Sequence, residues 1–133
     1  MKTILFVCLL YGVTYLPAQA QGDSVANNRP IFTVVEQHPE FPGGIRKLGR
    51  YLEENLQYPE AARNAKLEGR VFVNFIVNDD GRITHVKALN KLGLGTDEEA
   101  IRLVASMPNW IPGKQNGRPV NVFYNLPINF KLK

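Results

Sequence analysis

Apolar and polar residues alternate along two long stretches of the chain. In the first, Val71, Val73, Phe75 and Val77 share one parity, and polar residues take most positions of the other. In the second, every even position from 120 to 132 is apolar or aromatic. A period of two is typical of a β-strand that buries one face. The pattern therefore predicts two strands, one in each stretch.

Two further segments are predicted as strands on weaker patterns. Residues 31–36 are rich in β-branched side chains, and residues 82–90 follow a turn at 79–81 that ends in glycine, as hairpin turns often do. The alternation in 82–90 changes parity part-way. This change predicts a bulge or a local twist near His85.

Helical periodicity appears in the first half of the chain. Apolar residues recur at spacings of three and four across 44–55, which predicts a helix with one apolar side. Gly49 inside this helix costs about 1 kcal/mol against alanine, and close packing is the explanation we expect for it. Tyr58 precedes Pro59, which suits the first position of a helix, so a short helix is predicted over 59–65.

A third helix is predicted after a glycine-rich loop. Thr96 and Glu99 have the spacing of a capping box, in which each side chain bonds the main chain of the other residue. Pro108 ends this helix, and Trp110 beyond it is expected in the core. The predicted buried positions of the helix are Ala100, Ile101, Val104 and Met107.

Together these elements predict an α+β fold, an antiparallel sheet of three or four strands with two main helices on one face. Pro127 lies in the second half of the last predicted strand and cannot donate a hydrogen bond to a neighbour. That half is therefore expected at a sheet edge, with main-chain groups left unpaired on its outer side.

The N-terminus predicts export. Lys2, an apolar run over 4–15 and the small-x-small sequence at 18–20 indicate a signal peptide over 1–20. Residues 21–30 are polar and predicted as a flexible leader, and 31–133 as one domain. Cys8 is removed with the signal, which leaves no disulfide or cysteine metal site. The expected location is the periplasm, with inner-membrane anchoring by an uncleaved N-terminus as the alternative.

No residue pattern points to catalysis, a cofactor or a metal. His38 and His85 lack the spacing of metal ligands, and Asp79 and Asp80 have the role of turn formers. After Lys2 is removed, 15 basic and 12 acidic residues remain and are spread along the chain, so a nucleic-acid surface is not expected. A binding module that pairs an extended peptide with the exposed strand edge is the prediction.

Several motifs together resemble the C-terminal domain of TonB. They are Gln57-Tyr58-Pro59 with Ala62-Arg63, Glu68-Gly69-Arg70-Val71, Asp80-Gly81-Arg82-Ile83, Trp110 with Pro112-Gly113, and Leu126-Pro127-Ile128-Asn129-Phe130. Their order and spacing make the match specific from about 55 to 132. The segment 34–55 looks like an extension found in one branch of that family.

The resemblance implies a periplasmic domain that grips the TonB box of an outer-membrane receptor, or another envelope protein, by strand addition. It also implies force from an ExbB–ExbD motor if the chain is anchored. Carried over by position, the partner-binding residues are Asn55, Gln57, Tyr58, Pro59 and Arg63, with Val122, Phe123, Tyr124, Asn125 and Leu126 on the last strand.

Three alternatives stay open at this point. The chain is a membrane-anchored energy transducer, a stand-alone envelope adaptor that is not coupled to the motor, or an envelope hydrolase or metal enzyme. A transducer needs a membrane helix and a long extended tether. The short apolar segment followed by about ten polar residues argues against transduction by this chain alone.

Overall fold

The computed structural model describes residues 29–133, so the predicted signal peptide and most of the predicted leader lie outside the described residues. Within 29–133, no helix is long and apolar enough to cross a membrane. Residues 31–133 form one compact unit. Its elements are β1 (Ile31–Phe32), α1 (Ile45–Asn55), α2 (Glu60–Asn64), β2 (Gly69–Val77), β3 (Ile83–Ala88), α3 (Thr96–Ala105), β4 (Gly113–Gln115) and β5 (Arg118–Phe130).

The sheet is built around β5. Its strand order is β1-β5-β2-β3, and β4 pairs with the start of β5. The antiparallel pairing of β2 with β5 runs from Gly69 opposite Phe130 to Val77 opposite Val122, whereas β1 runs parallel to β5. The α+β class is as predicted. The prediction of a purely antiparallel sheet of three or four strands with two helices is corrected to a mixed sheet of five strands with three helices.

The corrections concern two short strands, β1, which is shorter than predicted, and β4, which was not predicted. The strand predicted over 31–36 ends at Phe32, after which the chain bends and makes isolated bridges from Gln37 to Lys114 and from Glu40 to Ile111. β4 and β5 form a tight hairpin whose two turn residues, Asn116 and Gly117, both have positive φ. Asn-Gly is the preferred sequence for such a turn, and the sequence analysis did not use it.

The predicted bulge at His85 is confirmed. His85 has φ 55°, in the left-handed region that few residues other than glycine adopt. Between the pairs Asn74–Lys87 and Ile76–Thr84, β3 contains one residue more than β2. This extra residue changes the parity of β3, as its sequence pattern indicated.

The core lies between one face of the sheet and the helices. The odd positions of β2 and the even positions of β5 share that face, with Val71 opposite Ile128 and Val73 opposite Leu126. Trp110 is 3% exposed and packs edge-on against Phe75, so its predicted core position is confirmed. Burying aromatic and β-branched side chains of this size contributes about 1.5–3 kcal/mol each.

The predicted capping box at the start of α3 is wrong. The Thr96 hydroxyl donates to the Gly93 carbonyl over 2.6 Å, and no side-chain bond caps the helix. The Asp97 carboxylate accepts the N–H groups of Leu92 and Gly93 instead. Gly95, with φ 87°, is the N-cap residue. The Glu99 carboxylate accepts hydrogen bonds from Gln57 and Arg102 and does not reach back to the start of the helix.

Candidate functional site

The outer side of β5 is open along most of its length. On that side β1 pairs only with Asn121 and Val122, and no other strand within residues 29–133 continues the pairing from 123 to 130. Pro127 lies within this open part. The predicted edge position of the second half of β5 is therefore confirmed for the described chain.

The direction of the main-chain groups on this edge follows from Phe72. Its N–H donates to the side-chain oxygen of Asn90, and its carbonyl accepts from Leu89, so both groups point toward the β3 side. Phe72 lies opposite Pro127 in the β2–β5 ladder, and this pair exchanges no ladder bonds. Pro127 therefore directs its main chain away from β2, where its missing N–H costs no ladder bond.

Residues of the same parity as Pro127 also direct their main-chain groups outward. Asn125 and Asn129 each present an N–H and a carbonyl on the free edge, and Pro127 presents its carbonyl alone. Phe123 also presents only its carbonyl, because the parallel pairing of Phe32 with Val122 places the Phe123 N–H against the Phe32 carbonyl. Such a row of unpaired groups is a template for another extended chain. We call this row, residues 123–129, the free edge.

A groove runs beside the free edge. It has a volume of about 610 Å³ and lies between α1 and the end of β5. Gly49, Leu52 and Leu56 form its helical side. Glu53 of α1 lies on the helical side as well. The other side and the end are formed by Pro127, Ile128, Asn129, Lys131, Leu132 and Lys133.

Gly49 has a different environment from the one expected. A Cβ placed on Gly49 would have no atom within 4 Å, so close packing inside the chain does not explain this glycine. That expectation was wrong. The glycine instead lowers the wall of the groove, where an alanine would place a methyl group.

Tyr58 is held by the fold at the end of β5. Its hydroxyl donates to the Leu67 carbonyl, and its ring meets Phe130 edge-on with 5.6 Å between centroids. The guanidinium of Arg63 lies 5.3 Å from the centroid of the Tyr58 ring, within cation–π range. Burial, and then the carboxylate of Glu68, raise the pKa of Tyr58.

The segment before Tyr58 is clamped to α3. The N–H of Gln57 donates to the Glu99 carboxylate over 2.7 Å, and Arg102 binds both that carboxylate and the carbonyl of Asn55. Burial alone would raise the pKa of Glu99, but the hydrogen bonds from Arg102 and Gln57 lower it overall. The clamp fixes the main chain on both sides of Leu56.

The five predicted strand residues divide between the two faces of the sheet. Val122 and Leu126 are buried, and the Tyr124 ring packs on Trp110 with 4.9 Å between centroids. Phe123 and Asn125 lie on the face that has no helices, where Asn74 donates to Asn125 over 2.7 Å. A partner that adds to the edge would meet the main chain of these residues more than their side chains.

The predicted site residues lie in separate places. Tyr58 and Arg63 are near the end of β5, in a second hollow that adjoins the groove. Gln57 and Pro59 line another hollow of about 450 Å³ next to α3, and Asn55 bonds within α1 to Tyr51.

The lining residues absent from the predicted site include Gly49, Leu52, Leu56, Lys66 and Lys131. Of these, Gly49 carried a signal, because a glycine inside a helix needs an explanation.

Within residues 29–133, no group of three or more His, Cys, Asp or Glu side chains is placed to hold a metal ion. His38 and His85 are both exposed and lie in different parts of the fold. The arrangement found at β5 is instead a strand edge with an apolar groove beside it. Its chemistry is that of main-chain hydrogen bonding and apolar burial.

Comparisons with known proteins agree with this fold. Two NMR solution structures of the Helicobacter pylori TonB C-terminal domain are similar to it. The first, residues 179–285 of that protein, has a TM-score of 0.51 at 22% identity and covers 66% of this chain and 79% of that one. The second, residues 194–285, has a TM-score of 0.52 at 24% identity and covers 66% and 92%.

No curated protein sequence matches the chain. The family model for the C-terminal domain of the Gram-negative bacterial TonB protein matches residues 54–132, which is more than half of the sequence. This match includes α2, α3 and the strands from β2 to β5, and leaves all but the last two residues of α1 outside. The chain therefore belongs to the TonB C-terminal domain family.

Proposed function

We propose that this protein is a periplasmic binding domain that captures an extended peptide of an outer-membrane transport receptor by strand addition to the free edge. In this role it takes part in energy-dependent transport across the outer membrane. The observation that carries the proposal is the row of outward main-chain groups from Phe123 to Asn129 with a groove beside it. The TonB C-terminal domain is a non-catalytic interaction domain, which agrees with a binding role.

The hydrogen bonds of the free edge supply only part of the affinity. Each contributes about 0.5–1.5 kcal/mol net, while association costs about 4 kcal/mol or more. Every second side chain of an added strand would point into the groove, over Leu52, Leu56 and Ile128. Apolar burial there, at about 25 cal/mol per Å², makes up the difference for a peptide with apolar residues at alternate positions.

Gly49 supports this assignment. A helical glycine that packs against nothing in its own chain costs stability. Its position on the groove wall explains why this loss of stability is tolerated, because the bare main chain of α1 allows an added strand to approach closely. β1 marks the other limit of the site, since it already occupies the edge at Asn121 and Val122.

A proline substitution tests the free edge without disturbing the ladder with β2. Asn125→Pro removes one outward N–H and leaves the bonds to β2, because Asn125 has the same parity as Pro127. Asn125→Ala is the matched control, since it removes the same side chain and keeps the N–H.

We expect the proline variant to bind receptor N-terminal peptides about 2- to 10-fold more weakly than the alanine variant in calorimetric titration. Equal affinities of the two folded variants would overturn strand addition at this edge.

A further inference from the structure

The face of the sheet that has no helices carries apolar side chains in contact with solvent. In the β2–β5 ladder, Phe72 lies opposite Pro127 and Ile76 lies opposite Phe123 on this face. Leu89, just beyond β3, donates its N–H to the Phe72 carbonyl. Phe72 is 41% exposed, Leu89 is 53% exposed and Phe123 is 38% exposed. We call this surface the helix-free face.

Leu89 belongs to the helix-free face because its side chain alternates with that of Ala88. Ala88 pairs with Val73 and packs against the core, and successive side chains of an extended chain point to opposite faces. Leu89 and Phe72 therefore lie side by side and form one apolar area with Pro127. The next row across the sheet is polar and consists of Lys87, Asn74 and Asn125.

The charged side chains of the helix-free face are cations. Arg70 lies opposite Asn129 and Lys87 opposite Asn74, and both cations are exposed. The Arg70 guanidinium donates to the Asn129 side-chain oxygen over 2.8 Å, which orients the cation without neutralising it. The residues paired across this face include no acid; they are Arg70, Phe72, Asn74, Ile76, Thr84, Lys87, Phe123, Asn125, Pro127 and Asn129. Apolar surface and positive charge therefore occur together.

This combination favours an anionic surface over a second copy of the chain. A two-fold contact through the helix-free face would bring Arg70 and Lys87 of each copy toward the same cations of the other. Phe72 and Leu89 line neither the groove nor the two hollows described above. A bilayer surface requires no pocket, because lipid headgroups move to meet cations while apolar side chains enter the headgroup boundary.

We propose that the helix-free face binds the surface of a bilayer that contains anionic phospholipid. Phe72 and Leu89 enter the boundary between headgroups and acyl chains, and Arg70 and Lys87 contact lipid phosphates. This inference goes beyond the proposed function, because the face and the free edge are different surfaces. With the face against a membrane, the free edge lies along the bilayer, within reach of a peptide that emerges from a membrane receptor.

Vesicle flotation tests the proposal. The probes are vesicles of phosphatidylcholine alone and of phosphatidylcholine mixed with phosphatidylglycerol. We expect the protein to float with the mixed vesicles at low salt and much less with phosphatidylcholine alone, and added salt should weaken the binding. Each variant below is compared with a matched control, so any contribution from the apolar run over 4–15 is common to both.

A pair of leucine variants locates the apolar contact. Leu89→Ser should reduce binding to the mixed vesicles by about 3- to 10-fold. Leu94→Ser is the control, because Leu94 is 50% exposed but lies in the loop that leads to α3, and it should bind as the wild type does. Equal losses in the two variants would overturn the assignment of this face.

A pair of lysine variants locates the charge. Lys87→Gln should reduce binding by about 3- to 6-fold, whereas Lys47→Gln, an exposed lysine of α1 on the other side of the sheet, should have a smaller effect. Equal effects would show that only net charge matters and would overturn the proposal.

Two further results would contradict membrane binding by this face. One is equal flotation with both kinds of vesicle. The other is self-association in sedimentation that Leu89→Ser abolishes, since this would assign the helix-free face to a second copy of the chain.

Discussion

Among the residues that depart from local conformational preferences, two lie beside the end of β5. Gly49 lies within α1, where alanine would be better, and Lys66 has a left-handed main chain, where glycine would be better. Gly49 lines the groove, and Lys66 lines the hollow that adjoins it. Departures from local conformational preference are expected at functional sites. These two residues therefore support a site at this end of the sheet.

Exchanging each residue for the locally preferred one should therefore stabilise the protein and weaken peptide binding. Gly49→Ala should raise the free energy of unfolding by about 0.5–1 kcal/mol, and Lys66→Gly by up to about 1 kcal/mol. Chemical denaturation and peptide titration of the same samples measure both effects. Stabilisation without any loss of binding would show that the two residues do not serve the groove.

Gly81 is a glycine of the opposite kind. It has φ +89°, and a Cβ there would lie 2.2 Å from the main-chain oxygen of Trp110. The N–H of Trp110 also donates to the Gly81 carbonyl. Gly81→Ala should lower the free energy of unfolding by about 3 kcal/mol or more. Gly117→Ala is the control, because it shares a positive φ but has no atom within 4 Å. A smaller loss for Gly81→Ala than for Gly117→Ala would contradict this account.

At the scale of elements, the sequence predicted what periodicity encodes. The strands β2 and β5, the helices α1 and α3 and the bulge at His85 follow from alternation, helical spacing or a change of parity, whereas α2 was predicted from Pro59. β1 and β4 are only two and three residues long, too short to carry a period, so they were missed or drawn too long. The capping box failed because Glu99 gains more from Gln57 and Arg102, which are brought to it by tertiary structure.

The clamp between α3 and the segment after α1 should make stability depend on acid. The lowered pKa of Glu99 means that the folded protein holds its carboxylate in the charged form. Its stabilisation is complete above the ordinary pKa of 4.5 and is lost as the pH falls through the lowered value.

Glu99→Gln should therefore cost about 1–3 kcal/mol at neutral pH, and the cost should shrink as the pH falls below 4.5. Glu98→Gln, on the exposed side of the same helix, is the control and should change stability little at any pH. Urea denaturation across the acid range measures both variants. A deficit of Glu99→Gln that stays constant with pH would argue against a charged clamp.

At the scale of the whole molecule, the site was only partly predictable. The edge position could be inferred from Pro127, because proline lacks the N–H that a residue of a central strand donates to a neighbouring strand. The groove could not, since it brings Gly49 of α1, Lys66 beyond α2 and Lys131 beyond β5 to one end of the sheet. No periodic pattern encodes that juxtaposition, which arises from how the helices pack on the sheet.

The central claim is that an incoming chain pairs with the outer side of β5. Amide hydrogen exchange measured by NMR, with and without a receptor N-terminal peptide, tests it directly. The account predicts that the amides of Asn125 and Asn129 become protected by the peptide, while Leu126 and Ile128, already paired with β2, change little. Peptide binding that leaves those two amides exchanging as in the free protein would contradict it.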